Sequence, residues 1–156
     1  NVLYSGTVAA ATEGALNDIP SVAVSLEYDE HADFDRAAQI SVDLIEQMLT
    51  QPQFQDHQLY SINIPITALD DDAPVRVVPM AVARWPAAFD RRVDPKGRRY
   101  YWAAGTPPSA AEDTDVGALK QGCITLTPLT VDRTKRAMME VMQEWNLSRK
   151  PAVGHR

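Results

Sequence analysis

The N-terminal stretch contains residues suited to binding an anion. Ser5, Gly6 and Thr7 stand directly before an alanine-rich run that predicts a helix. The first N–H groups of a helix have no partners within it and carry the positive end of its dipole. The two hydroxyls add donors and a glycine permits a tight turn, so the pattern predicts a phosphate site. An ordinary helix cap is an equally good interpretation, because the same residue types lead the cap preferences.

Other chemistry-bearing residues favour structural roles. His31, His57 and His155 are scattered without the i, i+4 spacing of a helical metal site, so each is expected at the surface. The aspartate run 70–72 is typical of a solvated turn rather than a cation site. Cys123 has apolar neighbours and no nearby histidine, which predicts an inert buried thiol.

A second group of candidates falls on one predicted arm and the loop after it. The arm contains an aromatic cluster and four arginines, and the loop contains a run of polar residues: Tyr100, Tyr101, Trp102, Arg91, Arg92, Arg98, Arg99, Asp113, Thr114 and Asp115. The aromatic cluster could stack on a nucleobase, but cross-strand packing is the stronger interpretation. The arginines are expected to be solvated or paired with a partner, and the loop residues to cap a short turn.

Composition limits the class of protein. The 156 residues are 45% hydrophobic and 23% charged, which is typical of one soluble globular domain. A formal net charge of -6 argues against a surface for nucleic-acid polymers. A single cysteine excludes an intramolecular disulfide and fits a cytoplasmic protein. The sequence has no apolar run of the roughly 20 residues that span a membrane.

The first half alternates helices and strands. The spacing predicts a helix over 5–17, a strand over 22–26, a helix capped by Asp33 or Asp35 and stopped by Pro52, and a strand over 59–64. This alternation is the signature of crossovers on a parallel sheet. The apolar run 22–26 predicts a strand buried on both faces.

The alternation of predicted helices and strands ends after residue 72, so we expect a boundary between 1–72 and 73–156. Residues 75–82 are strand-like, with Pro79 indicating an edge position or a bulge. Residues 89–94 and 98–103 predict a hairpin that turns at Pro95 and Gly97. A strand over 123–129 and a helix over 132–147 follow, with Ile124, Leu126 and Leu129 on one face of the strand and Met138, Met142 and Trp145 on one side of the helix. A long hairpin usually leans on a partner chain, which predicts oligomerisation.

Several motifs together resemble one family. Six stretches resemble, in the same order, motifs of the SurE family of 5'/3'-nucleotidases. They are residues 2–14, 19–25, 62–65, 101–102, 114–115 and 122–129. The resemblance implies a Rossmann-like, three-layer α/β core, incomplete here, which would be completed by residues before Asn1. Within it, 1–72 would be the C-terminal part of the core. Residues 73–156 would supply a protruding hairpin, a strand and a C-terminal helix used to form a homodimer or homotetramer.

The resemblance also implies hydrolysis of nucleoside monophosphates with a divalent metal, Mg²⁺ or Mn²⁺. The family holds this ion with two adjacent aspartates, a serine and an asparagine. All four positions precede the motif that begins at Tyr4 and would lie before Asn1, so no metal ligand or catalytic acid is assigned to this chain. Ser5, Gly6 and Thr7 correspond to the phosphate-side loop of the family.

Two functions follow as expectations. In the first, the intact protein is a metal-dependent nucleotidase and this chain supplies its phosphate-binding loop. In the alternative, the chain is a catalytically incompetent fragment that acts only as an anion-binding or oligomerisation module. Because loss of the leading strands would leave open sheet edges, the fragment alone is expected to be poorly soluble.

Overall fold

The computed structural model describes residues 2–30, 32–56, 58–69, 72–82, 88–104, 110–145 and 147–148. The helices are α1 (Gly6–Leu16), α2 (Phe34–Leu49), α3 (Asp115–Lys120) and α4 (Arg136–Gln143). The strands are β1 (Ser21–Leu26), β2 (Leu59–Ile64), β3 (Val75–Val77), β4 (Ala88–Val93), β5 (Arg99–Ala104) and β6 (Ile124–Pro128). Single turns of 3₁₀ helix occur at Val2–Tyr4, Pro52–Phe54 and Ile66–Ala68. Among the described residues, no helix has the length and apolar character needed to cross a bilayer.

The main sheet has the strand order β1-β2-β6-β3. β1 and β2 are parallel, with Ser21 opposite Leu59 and Leu26 opposite Ile64, which confirms the crossover predicted through α2. β6 runs antiparallel to β2, and β3 runs parallel to β6. The chain therefore reverses direction between β2 and β3, at Pro65 and the short 3₁₀ turn after it. The sheet is mixed, whereas the alternation in the first half indicated a parallel one.

Helices cover both faces of this sheet. Val22 and Val24 of β1 lie on the face with Ile62 and Ile64 of β2, and this face packs against α2. On the opposite face, Ala23 and Leu59 pack with Val8 and Ala15 of α1. The two faces separate because successive strand residues point in opposite directions. The three-layer α/β architecture implied by the resemblance is confirmed.

Local signals fix the helix ends. The Asp33 carboxylate accepts from the Arg36 N–H at 2.9 Å and caps α2, so Asp33 rather than Asp35 is the cap. α2 ends at Leu49, before Pro52, as expected from a proline that cannot continue a helix. β2 has the predicted bounds and ends where Pro65 removes a backbone donor.

The strands at the sheet edges differ from the sequence expectation. β1 was predicted to be buried on both faces, but only its Ala23 is fully buried, because β1 is an edge strand of the described sheet. β3 stops at Val77 instead of continuing to residue 82, since Pro79 has no N–H for a ladder. Its edge position is confirmed.

The predicted hairpin forms from β4 and β5. Ala88 lies opposite Ala104 and Val93 opposite Arg99, one residue displaced from the expected strands. Gly97 has a φ of 79°, the left-handed conformation that the turn requires. Every residue of β4 is exposed, so the hairpin protrudes from the main sheet.

The last helix is shorter than the sequence indicates. α4 begins at Arg136 rather than Asp132, because the Asp132 carboxylate accepts from the Thr134 N–H at 2.8 Å in a turn that precedes the helix. Met142 and Trp145 are about half exposed and Met138 is partly buried, so the described residues cover the predicted apolar side only in part.

The structure does not test the expectations for three histidines and two aspartates, nor the boundary at residue 72. His31, His57, His155, Asp70 and Asp71 lie outside the described residues. The boundary at residue 72 stays a prediction, although one sheet contains strands from both sides of it.

Candidate functional site

A large cleft adjoins the start of α1. Its volume is about 1010 Å³, and its walls come from three parts of the chain. One wall is the 3₁₀ turn and α1, a second follows β3, and a third is the end of β6 with the residues after it. The lining comprises Val2, Leu3, Ser5, Val8, Ala9, Thr12, Leu59, residues 77–80 and residues 127–133. The walls are mostly apolar, as is usual for small-molecule sites.

Ser5 lies at this cleft as the N-cap of α1. Its backbone is extended, with φ -77° and ψ 122°, and its hydroxyl oxygen accepts from the Val8 N–H at 3.3 Å. The Ala9 N–H donates to the Ser5 carbonyl at 3.0 Å and closes the first helical turn. The cap interpretation is therefore correct for the Ser5 oxygen, while the hydroxyl proton is still available as a donor.

Gly6 and Thr7 occupy the first two positions of α1, and both are exposed. Neither belongs to the described lining of the cleft. Their N–H groups precede the first intrahelical bonds and face outward. Gly6 begins α1 without a positive φ. A Cβ at this position would meet no atom within 4 Å other than those of its chain neighbours and of the backbone of its own helix. The surface beside Gly6 is thus accessible to a ligand, as an anion site at a helix start needs.

The charged residues of the cleft were not predicted as site residues. Asp132 and Arg133 line it together. Hydrogen bonds from Thr134 hold the pKa of Asp132 below its usual value, and an ion pair with Arg136 contributes. Asp132 is therefore ionised at neutral pH and disfavours an anion beside it, whereas Arg133 favours one. Only the folded structure brings Arg133 to the cleft of Ser5, since no local pattern links these positions.

The remaining candidates have structural roles. Cys123 is buried in a small cluster with Val78 and Ala118. Thr114 caps α3, where its hydroxyl oxygen accepts from the Gly117 N–H at 3.3 Å. These positions agree with the structural interpretations made from the sequence.

The candidates on the hairpin lie apart from the cleft. The Arg92 guanidinium lies 5.1 Å from the centre of the Trp102 ring and pairs with Asp90. Arg98 pairs with Asp94 across the turn at 2.8 Å. None of the described hairpin residues lines the cleft.

The described part of the chain does not fit a metal centre. No group of three or more His, Cys, Asp or Glu side chains converges there. Asp72, the described member of the aspartate run, is exposed. The residues of this chain that the structure describes therefore do not form the donor set that a divalent ion requires.

The fold and the cleft define a mixed α/β protein in which the N-terminus of a helix adjoins a mostly apolar cleft. The family model "Survival protein SurE" matches residues 1–87. The chain belongs to the SurE family.

Similar proteins extend over nearly the whole chain. The chain is 45% identical over 149 residues to "5'-nucleotidase SurE" of Rhodopirellula baltica, covering 94% of this chain and 58% of that protein. It is 39% identical over 150 residues to "5'-nucleotidase SurE" of Synechococcus sp. (strain JA-3-3Ab), covering 95% and 58%. The crystal structure of SurE protein from Aquifex aeolicus matches with a TM-score of 0.74 at 29% identity, covering 92% of this chain and 58% of that one. The chain thus spans somewhat more than half the length of these relatives.

Proposed function

We propose that this chain is part of a nucleotidase that hydrolyses nucleoside monophosphates, and that it binds the phosphate at Ser5, Gly6 and Thr7. The supporting observation is the open N-terminus of α1, with Ser5 in the lining of a cleft of about 1010 Å³. The relatives named 5'-nucleotidase SurE support the same activity. A cleft of this size is in the range that accommodates a nucleotide.

The residues at the start of α1 supply hydrogen bonds and a positive potential. The Gly6 and Thr7 N–H groups donate to phosphate oxygens, and the Ser5 and Thr7 hydroxyls donate in addition. Charge that accumulates on the phosphoryl group during hydrolysis is stabilised by these fixed donors without reorganisation. Arg133 adds a cation to the same cleft, and Asp132 is neutralised in part by Arg136.

The divalent ion implied by the resemblance requires ligands from elsewhere. The described residues of this chain do not provide a suitable cluster, so no step of the chemistry is assigned to a metal here. We propose that Mg²⁺ or Mn²⁺ is bound by the additional length that the relatives have.

The proposal is tested by replacing the two hydroxyl residues in a protein that includes this additional length. Ser5→Ala combined with Thr7→Ala is expected to lower kcat for AMP hydrolysis by about 100- to 1000-fold or more, since losing one fixed donor to a reacting oxygen typically costs about 100- to 1000-fold. Thr50→Ala is the matched control, because Thr50 is exposed at the end of α2. Unchanged kinetics in the double variant would refute the assignment.

A second function remains supported by the absence of a metal cluster in the described residues. In that case the 156-residue chain is catalytically incompetent and serves as an anion-binding or oligomerisation module. The discriminating assay measures hydrolysis of AMP and p-nitrophenyl phosphate with Mn²⁺, comparing the chain alone with a protein of the relatives' full length. Turnover by the chain alone would exclude the module.

Assembly into a homodimer or homotetramer is also part of the proposal. The protruding hairpin exposes Phe89 and Tyr101, and the end of the chain exposes Met142 and Trp145. Such exposed apolar groups are typical of interaction surfaces. We further propose a cytoplasmic location, since a single buried thiol suits a reducing compartment.

A further inference from the structure

One side chain far from Ser5 fixes a wall of the cleft. The Asp115 carboxylate oxygen Oδ1 accepts from the Ala81 N–H at 2.7 Å and from the Val116 N–H at 2.7 Å. The Asp115 N–H donates to the Pro79 carbonyl at 2.9 Å. Two of these three bonds join the start of α3 to the segment that follows β3. Hydrogen bonds to a carboxylate are among the stronger ones in proteins.

The segment held by Asp115 has few other backbone bonds. Its first residue is still part of the sheet, since the Val78 N–H donates to Leu126 and the Val78 carbonyl accepts from the Thr127 hydroxyl at 2.8 Å. Pro79 then ends the strand pairing because it has no N–H. Among the described residues, the backbone groups of Pro79 and Ala81 form their hydrogen bonds with Asp115.

Asp115 is held in place by the capping and packing of α3. Thr114 caps α3, and the helix then packs so closely on the preceding loop that a Cβ at Gly117 would overlap the Ala111 carbonyl. Ala118 of α3 and Cys123 are buried in one cluster with Val78. A side chain anchored in this way can set the position of a neighbouring segment.

The positioned segment faces the cleft with apolar groups. Val78, Pro79 and Met80 line the same cleft as Ser5 but belong to a different element. If the phosphate binds at the start of α1, the rest of a nucleotide extends into this cleft. A nucleobase has flat apolar faces, so it fits a wall of this composition better than a phosphate does.

We infer that Asp115 is a positioning residue that holds residues 78–81 where they contact the nucleoside part of the substrate. The inference rests on the proposed function. Because the nucleoside does not react, these contacts bind ground state and transition state alike, so their loss raises KM and leaves kcat nearly unchanged. A phosphomonoester without a nucleoside does not use them.

The test compares two substrates in a protein with the relatives' full length. Asp115→Ala is expected to raise KM for AMP about tenfold, the scale of losing a hydrogen bond to a charged group, and to change KM for glycerol 2-phosphate less than about twofold. Asp115→Asn keeps an oxygen acceptor for both N–H groups and is expected to restore most of the AMP affinity. Asp113→Ala is the matched control, because Asp113 is exposed in the same loop.

The outcomes separate this inference from the proposed function. Equal losses with both substrates, or an unchanged KM for AMP, would overturn the positioning role. Met80→Ala tests the wall directly and should show the same substrate dependence if Asp115→Ala does not fold. If the unsubstituted protein hydrolyses neither substrate, the proposed function fails, and calorimetric binding of AMP to the same variants then decides the inference: equal affinities would overturn it.

Discussion

At the scale of single residues, Ser5 can serve two purposes at once. Its oxygen accepts from the Val8 N–H and stabilises α1, while its proton is free to reach an anion. A hydrogen bond that caps a helix and a hydrogen bond to a ligand use different parts of one hydroxyl. The two roles can therefore be separated by changing the charge at position 5 while keeping an acceptor.

Ser5→Asp is predicted to keep the stability of the protein but to remove phosphate binding. Aspartate caps helices about as well as serine, but its negative charge repels a phosphate at the same place. Ser5→Ala should instead lower the free energy of unfolding by about 1 kcal/mol, because it loses the cap. Urea unfolding and equilibrium binding of inorganic phosphate measure the two effects. Phosphate binding that survives Ser5→Asp would show that Ser5 acts only as a cap.

At the scale of elements, the hairpin depends on the carboxylate at its turn. Asp94 Oδ1 accepts from the Lys96 N–H at 2.9 Å and the Arg98 N–H at 2.8 Å. Asp94 Oδ2 pairs with the Arg98 guanidinium at 2.8 Å. These bonds, led by that from the Arg98 backbone, hold the pKa of Asp94 below its usual value. The turn is thus stabilised by the ionised form.

The hairpin is predicted to lose order in acid. Since the folded pKa is the lower one, the contribution of Asp94 is fully present above the unfolded pKa of about 3.9 and is lost as the pH falls through the folded value. Amide-exchange protection of residues 88–104, corrected for the intrinsic effect of pH, should decline in that range. Asp94→Asn keeps the acceptor without the titration, so its protection should not change there. An identical decline in both proteins would contradict this role.

The sequence was sufficient for elements whose limits are set locally. β2 was predicted with its observed bounds because a buried apolar run ends at Pro65, and α2 because Asp33 and Pro52 stand at its two ends. The start of α4 was predicted wrongly because Asp132 resembles a cap, whereas its carboxylate bonds the turn at Thr134.

The cleft could not be predicted in the same way. Ser5 was identified by a local motif. Arg133 and the wall held by Asp115 reach the same cleft only through the order of the strands and the packing of α3. Asp115 and Ala81 are distant in sequence, and no periodicity in either segment indicates their hydrogen bond. Tertiary hydrogen bonds of this kind are decided by packing, not by local preference.

At the scale of the whole molecule, exposed apolar groups favour self-association, whereas the net charge of -6 works against it. β1 and β3 are the edges of the described main sheet, and Val77 of β3 is 71% exposed. Phe89 and Tyr101 lie on the same face of the hairpin, because they alternate with Asp90 and Trp102 on the other face. Their side chains are 60% and 65% exposed. Unpaired edges and exposed aromatic groups both favour association.

The 156-residue chain alone is predicted to associate in solution and to melt without a sharp transition. Light scattering after size-exclusion chromatography should give a mass well above the 17.2 kDa of one chain. Phe89→Glu with Tyr101→Glu should reduce that mass if the hairpin face is the contact, since each buried aromatic contributes about 1.5–3 kcal/mol and a charge there opposes burial. Gln53→Glu with Gln55→Glu is the control, because it adds the same charge at exposed positions. An unchanged mass in the hairpin variant would place the contact elsewhere, at the sheet edges or at Met142 and Trp145. A monomer that melts sharply would contradict the prediction as a whole.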